Sequence, residues 1–170
     1  MARRREFDLL STWTLAAPRE LVWEPIEDAD SWIEWWPGLV EAVRTDDGAP
    51  DGSGQRGRFA WRAAFGYTVR FEMVSTRVER PSLLAGRASG DLAGTGTWRL
   101  DELTTEGGEP ACIVAFAWRV ALAKRWVAPL APALGPVLRW NHDRLMTAGA
   151  QGLAERLGCE LLAADGPEGS

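Results

Sequence analysis

A long helical pattern near the end of the sequence limits the possible folds of this chain most strongly. The pattern begins at Pro136, which suits a first helical turn, and ends at Gly158, which suits a helix end. Apolar or small residues form one stripe along it: Leu138, Leu145, Met146, Gly149, Leu153 and Leu157. A helix over 136–157 is about 33 Å long, whereas a compact chain of 170 residues has a radius of gyration of about 15 Å. The helix must therefore cross the whole domain, and it can bury its stripe only against a sheet that curves around it.

The preceding part of the chain has the alternating pattern of half-buried strands. This pattern predicts strands over residues 7–15, 56–63, 67–80, 83–89, 95–103 and 112–120. After the first strand, Pro18 suits the start of one short helix and Asp30 the start of a second that runs through Ile33. We expect an α+β fold in which a curved antiparallel sheet of about seven strands wraps around the long C-terminal helix. Residues 1–162 are expected to form this single domain, and residues 163–170 a polar C-terminal tail.

Charge and cysteine content narrow the possible partners. The formal net charge is −5, which argues against nucleic acid as a partner. Cys112 and Cys159 have no spacing typical of a disulfide framework or a metal site, so we expect no metal, no cofactor and a reducing, cytoplasmic location. The basic start at residues 3–5 is not followed by an apolar export signal. The longest apolar run, 126–138, is broken by prolines and is too short to cross a bilayer, so no stable membrane insertion is expected.

Four local motifs, in this order along the chain, resemble one known superfamily. They are Ala17-Pro18 with Val22-Trp23, Trp35-Trp36-Pro37-Gly38, the glycine-rich stretch 90–96 with Trp98, and Trp140-Asn141-His142 with Met146 and Gly149. Together with the order of the predicted elements, they resemble the START/Bet v 1-like superfamily, also called SRPBCC proteins, which includes the polyketide cyclase/dehydrase and lipid transport family. The resemblance implies a helix-grip fold with a cavity between the sheet and the terminal helix. It also implies a small hydrophobic partner, such as a lipid, a sterol or a polyketide, but no single activity.

The predicted strand register directs a set of aromatic side chains toward the helix. These are Phe59, Trp61, Tyr67, Phe71, Trp98, Phe116 and Trp118. They suit either a solid core or the wall of a ligand cavity. The resemblance, together with the room left by Gly149 and Gly152 on the helix, favours the cavity. Asn141, His142 and Met146 are expected to complete the ligand site from the helix.

His142 and Tyr67 are the candidate catalytic residues. His142 is the only histidine in the sequence, and its spacing places it on the buried stripe of the helix. A group that titrates near neutral pH could transfer protons or bind a ligand carbonyl there. The alternative is a structural histidine bonded to a neighbouring backbone group. Tyr67 would supply a hydroxyl group in the same cavity.

Two further segments have more than one interpretation. The tryptophans at 32, 35 and 36 form either a gate to the cavity or a hydrophobic plug, and the plug is slightly favoured. The proline-broken segment 124–136 is interpreted as a rim that packs on the sheet or moves to admit a ligand. Weak contact with a membrane surface is the alternative for this segment.

The leading functional hypothesis is the binding of a small hydrophobic ligand in an internal cavity, with transport of that ligand as an extension. The first alternative is an enzyme resembling polyketide aromatase/cyclases, in which orientation of the substrate supplies much of the catalysis. The second alternative is a protein-interaction module similar to chaperone activators of the superfamily. An aromatic interior without a catalytic cluster favours the first hypothesis.

Overall fold

A computed structural model describes residues 6–63, 66–122 and 131–165, with the backbone alone for 131–134. The predicted rim, 124–136, lies largely outside the described residues. Between α1 and α2 the chain makes one turn of 3-10 helix, Ala29–Ser31. The elements in chain order are β1 (Glu6–Leu15), α1 (Arg19–Glu27), α2 (Trp32–Trp35), β2 (Leu39–Asp46), β3 (Arg56–Arg62), β4 (Thr68–Glu79), β5 (Leu83–Gly90), β6 (Leu92–Thr104), β7 (Pro110–Leu122), α3 (Ala131–Leu157) and β8 (Leu161–Asp165).

The strands form one antiparallel sheet of eight strands in the order β2-β3-β4-β5-β6-β7-β1-β8. Strand β1 shows why these segments are strands, because its buried residues, Phe7, Leu9, Ser11, Trp13 and Leu15, alternate with more exposed ones. The buried faces of β1, β6 and β7 meet on the concave side of the sheet, where α3 packs. The predicted α+β helix-grip fold is confirmed.

Helix α3 begins earlier than the sequence pattern predicts. It starts at Ala131 rather than Pro136, so Pro136 lies inside the helix. A proline there removes one hydrogen bond of the helical ladder, which the surrounding turns tolerate near a helix start. At 27 residues, α3 is about 40 Å long. Three residues of the predicted stripe are buried, Met146, Gly149 and Leu153, together with Gly135, Ala150 and Ala154.

The first part of the predicted polar tail, 163–165, lies in a strand, and 166–170 lie outside the described residues. Residues 161–165 form β8, which pairs with β1 at the edge of the sheet. Gly158 ends α3 with a φ of 64° and turns the chain back toward β1. Leu161 and Ala164 then pack against the core, which explains why this segment is ordered. The boundary expected at residue 163 therefore falls inside a strand.

Tryptophan rings fill the core beside α2. Trp36 lies at the centre, with its ring centroid 4.8 Å from that of Trp61, 5.7 Å from that of Trp13 and 5.9 Å from that of Trp98. Its indole N–H donates a hydrogen bond of 2.8 Å to the carbonyl oxygen of Leu145. A buried tryptophan contributes a large apolar surface and one N–H donor that needs an acceptor. The Trp36 ring is packed against other rings, and its N–H is hydrogen-bonded.

Candidate functional site

A continuous chain of aromatic rings covers the concave face of the sheet. Phe59 contacts Phe71 at 5.9 Å between ring centroids, and Phe71 contacts Trp118 at 5.6 Å. Phe116 lies 5.6 Å from Trp118 and 4.3 Å from Trp98. The strand register explains this arrangement, because Phe59 is the direct partner of Phe71 and Trp98 is the direct partner of Phe116.

Glycines on the same face allow these rings to lie flat on the sheet. A Cβ on Gly96 would lie 2.7 Å from two ring carbons of Trp118, and one on Gly86 would lie 2.9 Å from Cε of Met73. Both glycines therefore leave space for a neighbouring side chain, and neither is needed to form a turn.

Tyr67 and Trp61 differ in their placement from the rest of the predicted set. Trp61 is partly buried and its ring packs against Trp36. Tyr67, in contrast, precedes β4, which begins at Thr68, and it is 48% exposed. The strand pairing ends at Arg62 and Thr68, so the alternation that would direct Tyr67 inward does not extend to it. The structure thus places Tyr67 outside the enclosed part of the concave face.

Trp36 and the backbone of Trp35 occupy the space that Gly149 and Gly152 were expected to leave empty. A Cβ on Gly149 would overlap with the indole of Trp36, and one on Gly152 would overlap with the carbonyl oxygen of Trp35. The two glycines therefore allow α2 to approach α3 closely, and they do not create a ligand cavity. Of the two interpretations of the tryptophan cluster, the geometry matches the hydrophobic plug.

A small cavity of about 70 Å³ remains on the concave face. The cavity is small because tryptophan rings, Trp32, Trp36 and Trp98 among them, fill the adjoining space. Among the described residues, the apolar lining of the cavity consists of Ala29, Trp32, Gly57, Phe59, Met73, Leu84, Ala85, Gly86, Gly96, Trp98 and Phe116.

The mouth of this cavity is polar. Glu27, Asp30, Arg44, Gln55, Arg56 and Ser75 line its edge. Arg44 of β2 forms ion pairs of 3.3 Å with Asp28 and 3.2 Å with Asp30, which precede α2. On the other side, Arg80 pairs with Glu27 at the end of α1. These ion pairs connect the segments on either side of the opening.

His142 lies on the buried side of α3, beside Phe116. The two rings are nearly parallel, at 15°, with 6.5 Å between their centroids. The His142 side chain is 13% exposed, and neither ring nitrogen has a hydrogen-bond partner among the described residues. Burial lowers the pKa of His142 to about 4, so the ring is neutral at pH 7. Met146 is buried one turn further along, whereas Asn141 is half-buried.

Ser11 is a buried polar residue that the sequence interpretation missed. It is 1% exposed, and its hydroxyl oxygen has no hydrogen-bond partner among the described residues. The signal was present in β1, because period-two alternation places Ser11 on the same face as Leu9 and Trp13. A polar residue at a core position was therefore readable from the sequence.

A wider depression of about 520 Å³ lies on the outer surface between α2 and α3. Trp35, Pro37 and Gly152 form its floor. The ion pair between Glu34 and Arg156, 2.6 Å long, crosses its edge. The depression is open to solvent and lies on the far side of the tryptophan plug from the concave face, so we do not assign the site to it.

The comparison with known families matches this architecture. Residues 7–158 match the sequence model of the family described as "Polyketide cyclase / dehydrase and lipid transport". The chain belongs to this family. The match covers all elements from β1 to α3 and confirms the resemblance to the START/SRPBCC superfamily. No curated protein matches the sequence significantly.

Solved structures show the same fold at low sequence identity. A protein from Thermus thermophilus has a TM-score of 0.69 and 16% identity, over 89% of this chain and 97% of that one. The Zhui aromatase/cyclase from Streptomyces sp. R1128 has a TM-score of 0.68 and 17% identity, over 91% and 94% of the two chains. A START superfamily protein from Mycobacterium smegmatis has a TM-score of 0.64 and 15% identity, over 89% and 98%. At these identities, the likeness shows the fold alone.

Two other kinds of functional feature do not occur in the described part of the chain. Within 6–63, 66–122 and 131–165, no helix is long and apolar enough to span a membrane. Over the same ranges, no three side chains of His, Cys, Asp or Glu are grouped as metal ligands.

Proposed function

We propose that the protein binds a small hydrophobic molecule in the cavity between the concave face of the sheet and residues 27–32. The observation that carries this proposal is the cavity beside Trp98 and Phe116, which has an aromatic floor and a polar mouth. Small-molecule sites usually combine an apolar lining with a few polar groups. Burial of the ligand's apolar surface supplies about 25 cal/mol per Å², before the costs of ordering are subtracted.

The volume of the cavity limits the size of the ligand. A dry protein cavity of about 150 Å³ holds benzene, whereas this one measures about 70 Å³. A ligand can therefore enter only if lining side chains move. Met73 and Phe116 are only partly buried, and the unbranched thioether of Met73 adapts easily to a new shape. We expect a compact, ring-shaped ligand rather than a long-chain lipid.

The candidate catalytic residues support binding over the cyclase alternative. A general base works best when its pKa lies near the working pH, and burial holds the pKa of His142 at about 4. Tyr67 is about half exposed, whereas His142 is enclosed, so the two do not form one buried acid–base pair. A neutral, enclosed imidazole is better suited to a hydrogen bond with a ligand.

Intrinsic fluorescence tests the proposal directly, because Trp32 and Trp98 line the cavity. Titration with small aromatic compounds should give a saturable change in emission. An Ala29→Phe substitution narrows the mouth and should weaken binding at least tenfold. The matched control is Ala117→Phe, which adds the same ring on the exposed convex face of β7 and should not change the affinity. The proposal would be overturned if neither substitution changed the affinity, or if no saturable binding were observed.

A further inference from the structure

Ser11 and His142 lie at the same level of the interface between β1 and α3. At one end, Leu138 packs in the cluster that contains Leu9, and further along Met146 packs in the cluster that contains Trp13. Ser11 lies between Leu9 and Trp13 on the buried face of β1. His142 lies one turn after Leu138 and one turn before Met146 on α3. We call this pair, Ser11 and His142, the polar seam.

Phe116 connects the polar seam to the cavity. Ser11 is the direct strand partner of Phe116, and the Phe116 ring stacks on His142. The same residue also lines the cavity. Movement of the Phe116 ring would therefore open a path from the cavity toward Ser11 and His142.

The polar atoms of the seam have no partners in the part of the chain that the structure describes. The Ser11 hydroxyl and both His142 ring nitrogens are buried without a hydrogen bond. Most buried polar groups in proteins are hydrogen-bonded, so a group without a partner points to a missing one.

We propose that the polar seam binds an uncharged oxygen atom, a carbonyl or a hydroxyl, at one end of the hydrophobic ligand. This inference rests on the proposed function and names the chemistry of its ligand. A neutral imidazole offers one N–H donor and one acceptor nitrogen, and a serine hydroxyl offers one donor. A ketone oxygen can therefore accept one hydrogen bond from each residue. A ligand hydroxyl can accept from one and donate to the other.

The charges around the seam exclude a carboxylate as the preferred group. No described Arg or Lys side chain forms an ion pair or a hydrogen bond with Ser11 or His142. The Asp143 carboxylate lies beside the seam, with Oδ1 3.7 Å from Nδ1 of His142. Arg139 and Arg144 of the same helix are exposed, and Arg144 lies over the ring of Trp140. A buried anion beside Asp143 would be repelled and would lack a counter-charge.

Three ligands of similar size test this chemistry: acetophenone, ethylbenzene and benzoate. Titration calorimetry at pH 7 should show acetophenone binding about tenfold more tightly than ethylbenzene, because it supplies the missing hydrogen-bond partner. Benzoate should bind more weakly than either. The sequence contains one histidine, so nitrogen-15 NMR of the imidazole reports on the seam alone. Acetophenone should shift the signal of the protonated ring nitrogen, and ethylbenzene should shift it much less.

Two substitutions remove the polar atoms and keep the packing. His142→Phe retains a ring against Phe116, and Ser11→Ala retains the small volume. Each should lower the affinity for acetophenone about tenfold and leave that for ethylbenzene unchanged. The control is Ser89→Ala, an exposed serine of β5, which should change neither affinity.

The outcomes separate this inference from the proposed function. If ethylbenzene and acetophenone bind equally well, or if benzoate binds best, the polar seam does not select an uncharged oxygen, although hydrophobic binding stands. The inference also fails if the acetophenone preference survives in both His142→Phe and Ser11→Ala. If none of the three compounds binds, both the inference and the proposed function are wrong.

Discussion

The indole of Trp36 lies against the backbone of Gly149, with its N–H bonded to the carbonyl oxygen of Leu145 at 2.8 Å. Trp36 cannot retreat from this position, because the rings of Trp13, Trp61 and Trp98 surround it. The contact therefore fixes the distance between α2 and α3. It also determines how much of the concave face remains for a ligand.

We expect a Gly149→Ala substitution to destabilise the protein. In an exposed helix the change would gain about 1 kcal/mol from helix propensity. Here the new methyl group overlaps with the indole of Trp36, and overpacking of this kind costs about 1–3 kcal/mol. The free energy of unfolding, measured with urea, should therefore fall.

Gly135→Ala in the same helix is the matched control for that substitution. Among the described residues, a Cβ on Gly135 meets nothing nearer than Cε1 of Phe7 at 3.8 Å, an ordinary contact. Gly135→Ala should therefore leave the stability unchanged or raise it. Equal effects of the two substitutions would contradict the close packing of Trp36 on Gly149.

The pKa of His142 predicts how stability depends on pH. Burial lowers this pKa from 6.5 to about 4 in the folded state, so the unfolded chain binds the proton more readily. The stability linked to His142 is therefore complete above pH 6.5 and decreases as the pH falls toward 4. The difference between the two pKa values corresponds to about 3 kcal/mol.

Urea unfolding at pH 7, 6 and 5 should show this loss, and His142→Phe should remove most of it. Asp143 is the titratable neighbour to consider. Burial raises its pKa, which opposes the effect of His142 at the acid end of the range. A wild-type protein and a His142→Phe variant with the same pH dependence would show that the imidazole is not buried in its neutral form.

The two cysteines should differ in reactivity. Cys112 is fully buried in β7, and burial raises its pKa to about 12. Cys159 follows α3 and is only partly buried. Because the thiolate is the reactive form, a thiol reagent at pH 8 should modify Cys159 slowly in the folded protein and Cys112 only after unfolding. A Cys159→Ser variant should show no reaction without denaturant; labelling of that variant in the folded state would mean that β7 is accessible.

The fold was predictable because its main signals repeat over many residues. The stripe from Leu138 to Leu157 gave the terminal helix, and period-two alternation gave the strands that face it, including β7 with Phe116 and Trp118. Each pattern indicates which face of its helix or strand is buried. All of these faces are buried together when the sheet wraps around the helix.

The features that the sequence did not reveal depend on contacts between distant residues. Gly149 suggested empty space, but the indole of Trp36 occupies that space, although Trp36 is 113 residues away in sequence. Strand β2 is an edge strand with several exposed residues, so its alternation is weak. The remaining volume of a cavity depends on how all these side chains pack, and a periodic pattern contains no such information.

Two substitutions in β8 test whether this segment, which overlaps the predicted polar tail, packs as a strand on the sheet. Leu161 packs against the core, whereas its neighbour Leu162 is 42% exposed, as alternation in a strand requires. Leu161→Lys should therefore lower the free energy of unfolding by about 1–3 kcal/mol, since it removes apolar burial and introduces a charge beside the core. Leu162→Lys makes the same chemical change one residue later and should alter stability by less than about 0.5 kcal/mol. If both variants are as stable as the wild type, residues 161–165 do not pair with β1, and the domain ends at α3.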